Sequence, residues 1–115
     1  MHRGPQIPEY PDVSDRELQA VVERDKRVIS MQVTLSLDCE QPLQRICMID
    51  AKLRAVYQVL DSNPKVPTWL GKEASSEVYR TSWLIATDTE PEYIKRWVEL
   101  MLDVNQVEIA EYPYR

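Results

Sequence analysis

Val28-Ile29-Ser30-Met31-Gln32-Val33-Thr34-Leu35-Ser36-Leu37 decides the fold. From Ile29 to Leu37 every odd position is apolar and every even position carries a small or medium polar group. Successive side chains of a strand point to opposite faces, so this alternation specifies a strand with one core face and one wet face. The rest of the chain can be arranged as layers around it.

After this strand, Pro42 suits a first helical turn, and Ile46, Ile49, Leu53, Val56 and Leu60 recur at three- and four-residue steps. That spacing predicts an amphipathic helix laid on a flat apolar surface, with Asp50 and Arg54 paired on its flank. Asn63-Pro64 is read as its stop. Val66-Pro67-Thr68-Trp69-Leu70 is then a short extended segment, followed by a loop from Gly71 to Ser76. Glu77 to Thr87 is rich in β-branched and aromatic residues and reads as a second long strand. Its odd residues Tyr79, Thr81, Trp83 and Ile85 are assigned to the core, because Arg80 on the opposite parity would need a partner to offset burial.

Thr89 with Glu92 has the spacing of a capping box, with Pro91 in the first turn. Ile94, Trp97, Val98, Met101 and Leu102 give that helix a buried stripe, and Asn105 is read as its end. A last strand runs from Val107 to Glu111. Upstream of the opening strand, Ser14 and Glu17 form another capping box, and Val13 and Leu18 stand at the positions of a hydrophobic staple. A helix over 15–25 follows, with Leu18, Val21 and Val22 as its apolar side. The competing reading, a hairpin from Leu18 back into Val28, leaves that capping chemistry unused.

The order strand, helix, strand, strand, helix, strand is that of an α+β, ferredoxin-like β-α-β-β-α-β sandwich: a four-stranded antiparallel sheet with both helices on one face. The first and third strands are then central. Proline cannot donate to a ladder and is confined to edges and strand ends. Pro67 falls in the second strand and Pro113 at the end of the fourth, the two assigned to the edges. Residues 1–13 form an extended proline-rich arm (Pro5, Pro8, Pro11), and 14–115 a single domain, as the 115-residue length suggests.

The chain carries a formal charge of −5 with dispersed basic residues, which makes nucleic acid an unfavourable partner. No run approaches the ~20 apolar residues of a membrane helix, and no signal-peptide pattern opens the chain. Cys39 and Cys47 have neither disulfide-framework nor zinc spacing, so the expectation is a small acidic cytoplasmic protein with free thiols. His2 is the sole histidine, and Gly4 and Gly71 the only glycines. Histidine-activated nucleophiles, multi-imidazole metal sites and glycine-rich phosphate loops are therefore not expected, nor is any cofactor. Asp88, Glu90 and Glu92 read as helix-start carboxylates, so the reading leans away from an enzyme while leaving one open on the sheet face.

Two functions fit the sheet face left bare by such a sandwich. One is an interaction or assembly module, homo-oligomeric or bound to another protein, using that face, an edge strand or the arm, with Ile7, Tyr10, Ser30, Ser36 and Leu84 as contacts. The other is a small anionic-ligand binder in which Arg80 holds the anion and Gln32, Thr34 and Ser82 hydrogen-bond around it. A cover formed by helix 15–25 over the same face is the alternative to the first, and both could hold at once in a dimer; a solvated Arg80 is the alternative to the second.

Overall fold

The computed structural model of the chain describes residues 10, 13–24, 26–63, 66 and 79–112. Its elements are α1 (Asp15–Glu23), β1 (Arg27–Leu35), α2 (Pro42–Val56), β2 (Gln58–Asn63), β3 (Arg80–Thr87), α3 (Pro91–Glu99) and β4 (Val104–Glu111). The strands form one antiparallel sheet in the order β2-β3-β1-β4. The opening strand is thus central. It pairs with β3 from Arg27↔Thr87 to Thr34↔Arg80 and with β4 from Ile29↔Glu111 to Leu35↔Val104.

Alternation in β1 works as the sequence demands. Ile29, Met31, Val33 and Leu35 enter the main core with Trp83 and Ile85 of β3. Ile46, Ile49 and Leu53 of α2 and Ile94 and Val98 of α3 close the same cluster, so both helices cover one sheet face. Asp50 is buried with them: its Oδ1 accepts the indole N–H of Trp83 at 2.9 Å, and Arg54 Nε donates to both carboxylate oxygens at 3.0 Å. A flank ion pair was expected there. The acceptor for Trp83 was not.

Several boundaries move. β1 ends at Leu35, and Leu37 beyond it is 84% exposed. α2 ends at Val56, and Tyr57 is already extended (φ −124°, ψ 163°), so β2 begins with almost no connecting loop. The helical stripe had been carried through Val56 and Leu60, yet Val56 is exposed and Leu60 packs on the other side of the sheet. A leucine four residues after Val56 satisfies a helical period and a strand equally well, and no turn residue marks the junction. The second strand is therefore Gln58–Asn63, not the segment at 66–70. Val66 of that segment is helical and buried, while 67–70, Pro67 included, lie outside the described residues, as do the loop at 71–76 and Pro113. β2 contains no proline, so its edge position owes nothing to Pro67.

α3 starts from Glu90, which makes no side-chain cap bond; the Thr89–Glu92 box does not form. The Thr89 N–H is taken by Thr87 Oγ1 at 3.0 Å, and Glu90 instead meets Arg27 at 3.0 Å. The helix stops at Glu99, and Asn105 lies inside β4. Between them Asp103 adopts φ 69°, a left-handed conformation that favours glycine but that aspartate tolerates.

The second sheet face is covered, not bare, over half its length. The Ser14–Glu17 capping box forms (Glu17 N to Ser14 Oγ 3.1 Å, Ser14 N to Glu17 Oε1 3.2 Å) and starts α1. Leu18 and Val21 then pack on Val28, Leu84 and Ala86 together with Tyr10, and Val13 joins this cluster as a staple residue should. Val22, expected beside them, is 43% exposed. β3 is consequently buried on both faces from Thr81 to Thr87.

Candidate functional site

The expected site residues separate into three groups. Tyr10, Ser30 and Leu84, expected as exposed contacts, are internal at 4%, 4% and 0% exposure. Tyr10 reaches under α1 and its hydroxyl meets Ser30 Oγ at 2.7 Å, while its ring stands edge-on to Tyr112 at 5.7 Å. Burial pushes the Tyr10 phenol up to about 12, against the hydrogen bonds of Ser30 and Ser82. These residues close a second core and offer a partner no surface. Ser36 is half-buried at the exit of β1, its N–H bound to the Asp103 carbonyl at 2.8 Å and its Oγ accepting from Asp38 N. Ile7 lies outside the described residues.

Gln32, Thr34, Arg80 and Ser82 are brought together by register as two successive cross-strand pairs, Gln32↔Ser82 and Thr34↔Arg80. Arg80 is exposed, Gln32 and Thr34 half-buried, and Ser82 buried. On the other side of β1, Gln32 pairs with Glu108 and Thr34 with Gln106, so a carboxylate flanks the patch.

A more developed surface lies on the helical side. Arg45, Met48, Ile49 and Lys52 of α2 face Trp97 of α3 and Leu100, Met101 and Leu102 of the turn after it, around an open groove of about 420 Å³. Leu100 is 86% exposed, Leu102 68% and Met48 43%. Large exposed apolar side chains gathered on one rim are a feature of interaction surfaces, and here they are interleaved with the two cations Arg45 and Lys52. Tyr57, at the end of α2, meets the Trp97 ring edge-on at 5.9 Å and so props one wall. Arg45 is held by Asp103 (Nε to Oδ2 3.3 Å), the residue at positive φ, and its Nη1 lies 3.7 Å from Met48 Sδ. Lys52 is exposed and has no ion-pair partner among the described residues.

Sequence periodicity missed this groove because it placed Trp97, Met101 and Leu102 in one buried stripe. The available signal was excess: Tyr93, Trp97 and Leu100 form a second apolar row on a helix whose sheet-facing side is already supplied by Ile94 and Val98.

A neighbouring cleft of about 380 Å³, lined by Asp38, Glu40, Gln44 and Asp103 among others, is polar. Cys39 on its wall is buried, and burial raises its thiol pKa, which disfavours the reactive thiolate. Cys39 and Cys47 are both free. Among the described residues no cluster of histidine, cysteine and carboxylate could hold a metal ion, and no helix is long and apolar enough to cross a membrane.

Fold and surface together define a small α+β domain with a groove, lined by apolar side chains and two cations, between α2 and α3. No protein-family model and no curated protein matches the chain. Among solved structures, it is similar to the P2 domain of the chemotaxis kinase CheA from the thermophile Thermotoga maritima, solved in complex with the response regulator CheY. The TM-score is 0.64 over 76% of this chain and 99% of that one, at 16% identity, a likeness of fold.

Proposed function

We propose that the chain is a ferredoxin-like protein-interaction module that docks a partner chain in the α2–α3 groove. The observation that carries this reading is the juxtaposition of Met48, Trp97, Leu100 and Leu102 on one exposed rim. A module of similar fold, the CheA P2 domain, is itself found with a protein partner, which supports the class. Selection of peptides from an unbiased display library tests the site. Binders are expected to lose affinity for Leu100→Ser and to be indifferent to Arg80→Ala; binders indifferent to Leu100→Ser would refute it.

Self-association is the finer form of the same reading, through the groove or the outer edge of β4. Glu108 and Glu111 put charge on that edge, a common device against strand-to-strand pairing. A solution mass of twice 13.5 kDa would support assembly, and 13.5 kDa at high concentration would remove it. A second reading rests on the register that gathers Gln32, Thr34, Arg80 and Ser82 into an anion-holding patch. Thermal stabilisation by phosphate or citrate that vanishes in Arg80→Ala would support it. Glu108 beside Gln32 weakens the patch for an anion, which is why the groove is preferred.

A further inference from the structure

Resting on the groove as docking surface, we infer that its occupant is an acidic amphipathic helix from a different protein. The charge of the rim points to this occupant. Its two ionisable lining residues, Arg45 and Lys52, are both cationic, on a chain whose net charge is −5. Lys52 is exposed with no ion-pair partner among the described residues, and Arg45 is engaged through Nε by Asp103 and through Nη1 by Met48 Sδ, leaving its Nη2 N–H groups for a ligand. Carboxylates flanking an apolar anchor would meet both cations.

The shape points the same way. Arg45, Met48, Ile49 and Lys52 line the groove along α2, a stretch of roughly 10 Å at 1.5 Å per residue. That is the length of about two turns of a partner helix, whose anchors would recur at i, i+3 or i+4, and i+7. Met48 and Met101 line the groove with flexible, polarisable side chains suited to helix-in-groove recognition. A second copy of this chain is the poorer occupant. A two-fold contact sets the same patch against itself, bringing together two linings that each carry Arg45 and Lys52 and no carboxylate to meet them.

Three synthetic helical peptides with identical leucine anchors, flanked by Glu, Gln or Lys, test the inference by fluorescence anisotropy on the full chain. Leu100 and Lys52 are exposed, so Leu100→Ser and Lys52→Glu should leave the circular dichroism spectrum unchanged. The Glu peptide is expected to bind about tenfold tighter than the Lys peptide at low salt, with the gap closing as salt rises. Lys52→Glu should narrow or invert that order, and Leu100→Ser should weaken every peptide. Leu100-dependent binding in which Gln or Lys peptides match the Glu peptide overturns the acidic partner and leaves the groove reading standing. No Leu100-dependent binding by any peptide sinks both. A dimer mass that falls in Leu100→Ser would replace the partner helix by a second copy.

Discussion

Removing the Asp50 carboxylate should expose how much of the main core depends on one acceptor. Trp83 is fully buried, and its indole N–H has Asp50 Oδ1 as partner at 2.9 Å. Asp50→Ala strands that donor where no replacement is in place, at a cost of about 1–3 kcal/mol. It also deletes the i,i+4 pair with Arg54, whose side chain is 43% exposed, worth only about 0.3–0.5 kcal/mol. Alanine returns roughly half a kcal/mol of helix propensity. The net expectation is about 2 kcal/mol, or a Tm lower by about 8 °C at roughly 4 °C per kcal/mol for a domain of this size. Asp50→Asn keeps an oxygen acceptor and loses only the ion pair, so about 0.5–1 kcal/mol is expected. Urea denaturation followed by far-UV circular dichroism measures both. A cycle with Trp83→Phe should give a coupling of about 1–2 kcal/mol. If Asp50→Asn is as damaging as Asp50→Ala, charge and not the acceptor matters. If Asp50→Ala is silent, the indole bond contributes nothing and the reasoning fails.

Three further outcomes are expected. Tyr10→Phe should cost about 1 kcal/mol through the lost bond to Ser30. Because burial holds the folded-state phenol near 12, above its unfolded value of about 10, the folded chain keeps the proton that the unfolded chain gives up. Its stabilisation is complete below about pH 10 and is lost as pH rises through about 12, so across that window the urea midpoint of wild type should fall to that of Tyr10→Phe and then below it, since about 2 kcal/mol is lost against about 1 kcal/mol gained; parallel curves would contradict it. At Asp103, Val should cost about 1–2 kcal/mol more than Gly in thermal unfolding, since φ is 69°; equal effects would mean the turn relaxes. Val33→Asp should largely unfold the chain and Thr34→Asp should be mild by circular dichroism, and equal effects would reverse the facing of β1.

What could be read from the sequence was local and periodic. The facing of β1, the Ser14 capping box and the parity of β3 each follow from side chains within a few residues of one another, where strand or helix geometry fixes direction. The central place of β1 and β3 followed from element order. The α2–β2 junction escaped because Val56 to Leu60 fits two periods and no glycine or proline separates them. The expected Thr89–Glu92 box fails because Thr87 takes the Thr89 N–H and Glu90, held by Arg27, becomes the N-cap in place of Thr89. The Asp50–Trp83 bond spans elements 33 positions apart, and no sequence window connects them.

The candidate site was the least legible part, because its location depends on what covers the sheet. A sandwich with one bare face directs attention to Ser30, Gln32, Thr34 and Leu84. Once Tyr10, Leu18 and Val21 close over that face, the central strand β3 loses contact with solvent on both sides from Thr81 to Thr87. Trp83 points into the main core, and Tyr79 packs against it, so among the described residues of β3 and its flank neither aromatic is offered on the open sheet face. Apolar groups left outside must then be accounted for elsewhere, and Met48, Leu100 and Leu102 are gathered along the α2–α3 groove. Scattered single hydrophobic residues need no explanation; residues from two elements lining one groove with two cations do. The same covering that buries β3 on both faces leaves Met48, Leu100 and Leu102, all on the helical side, as exposed apolar side chains around one groove.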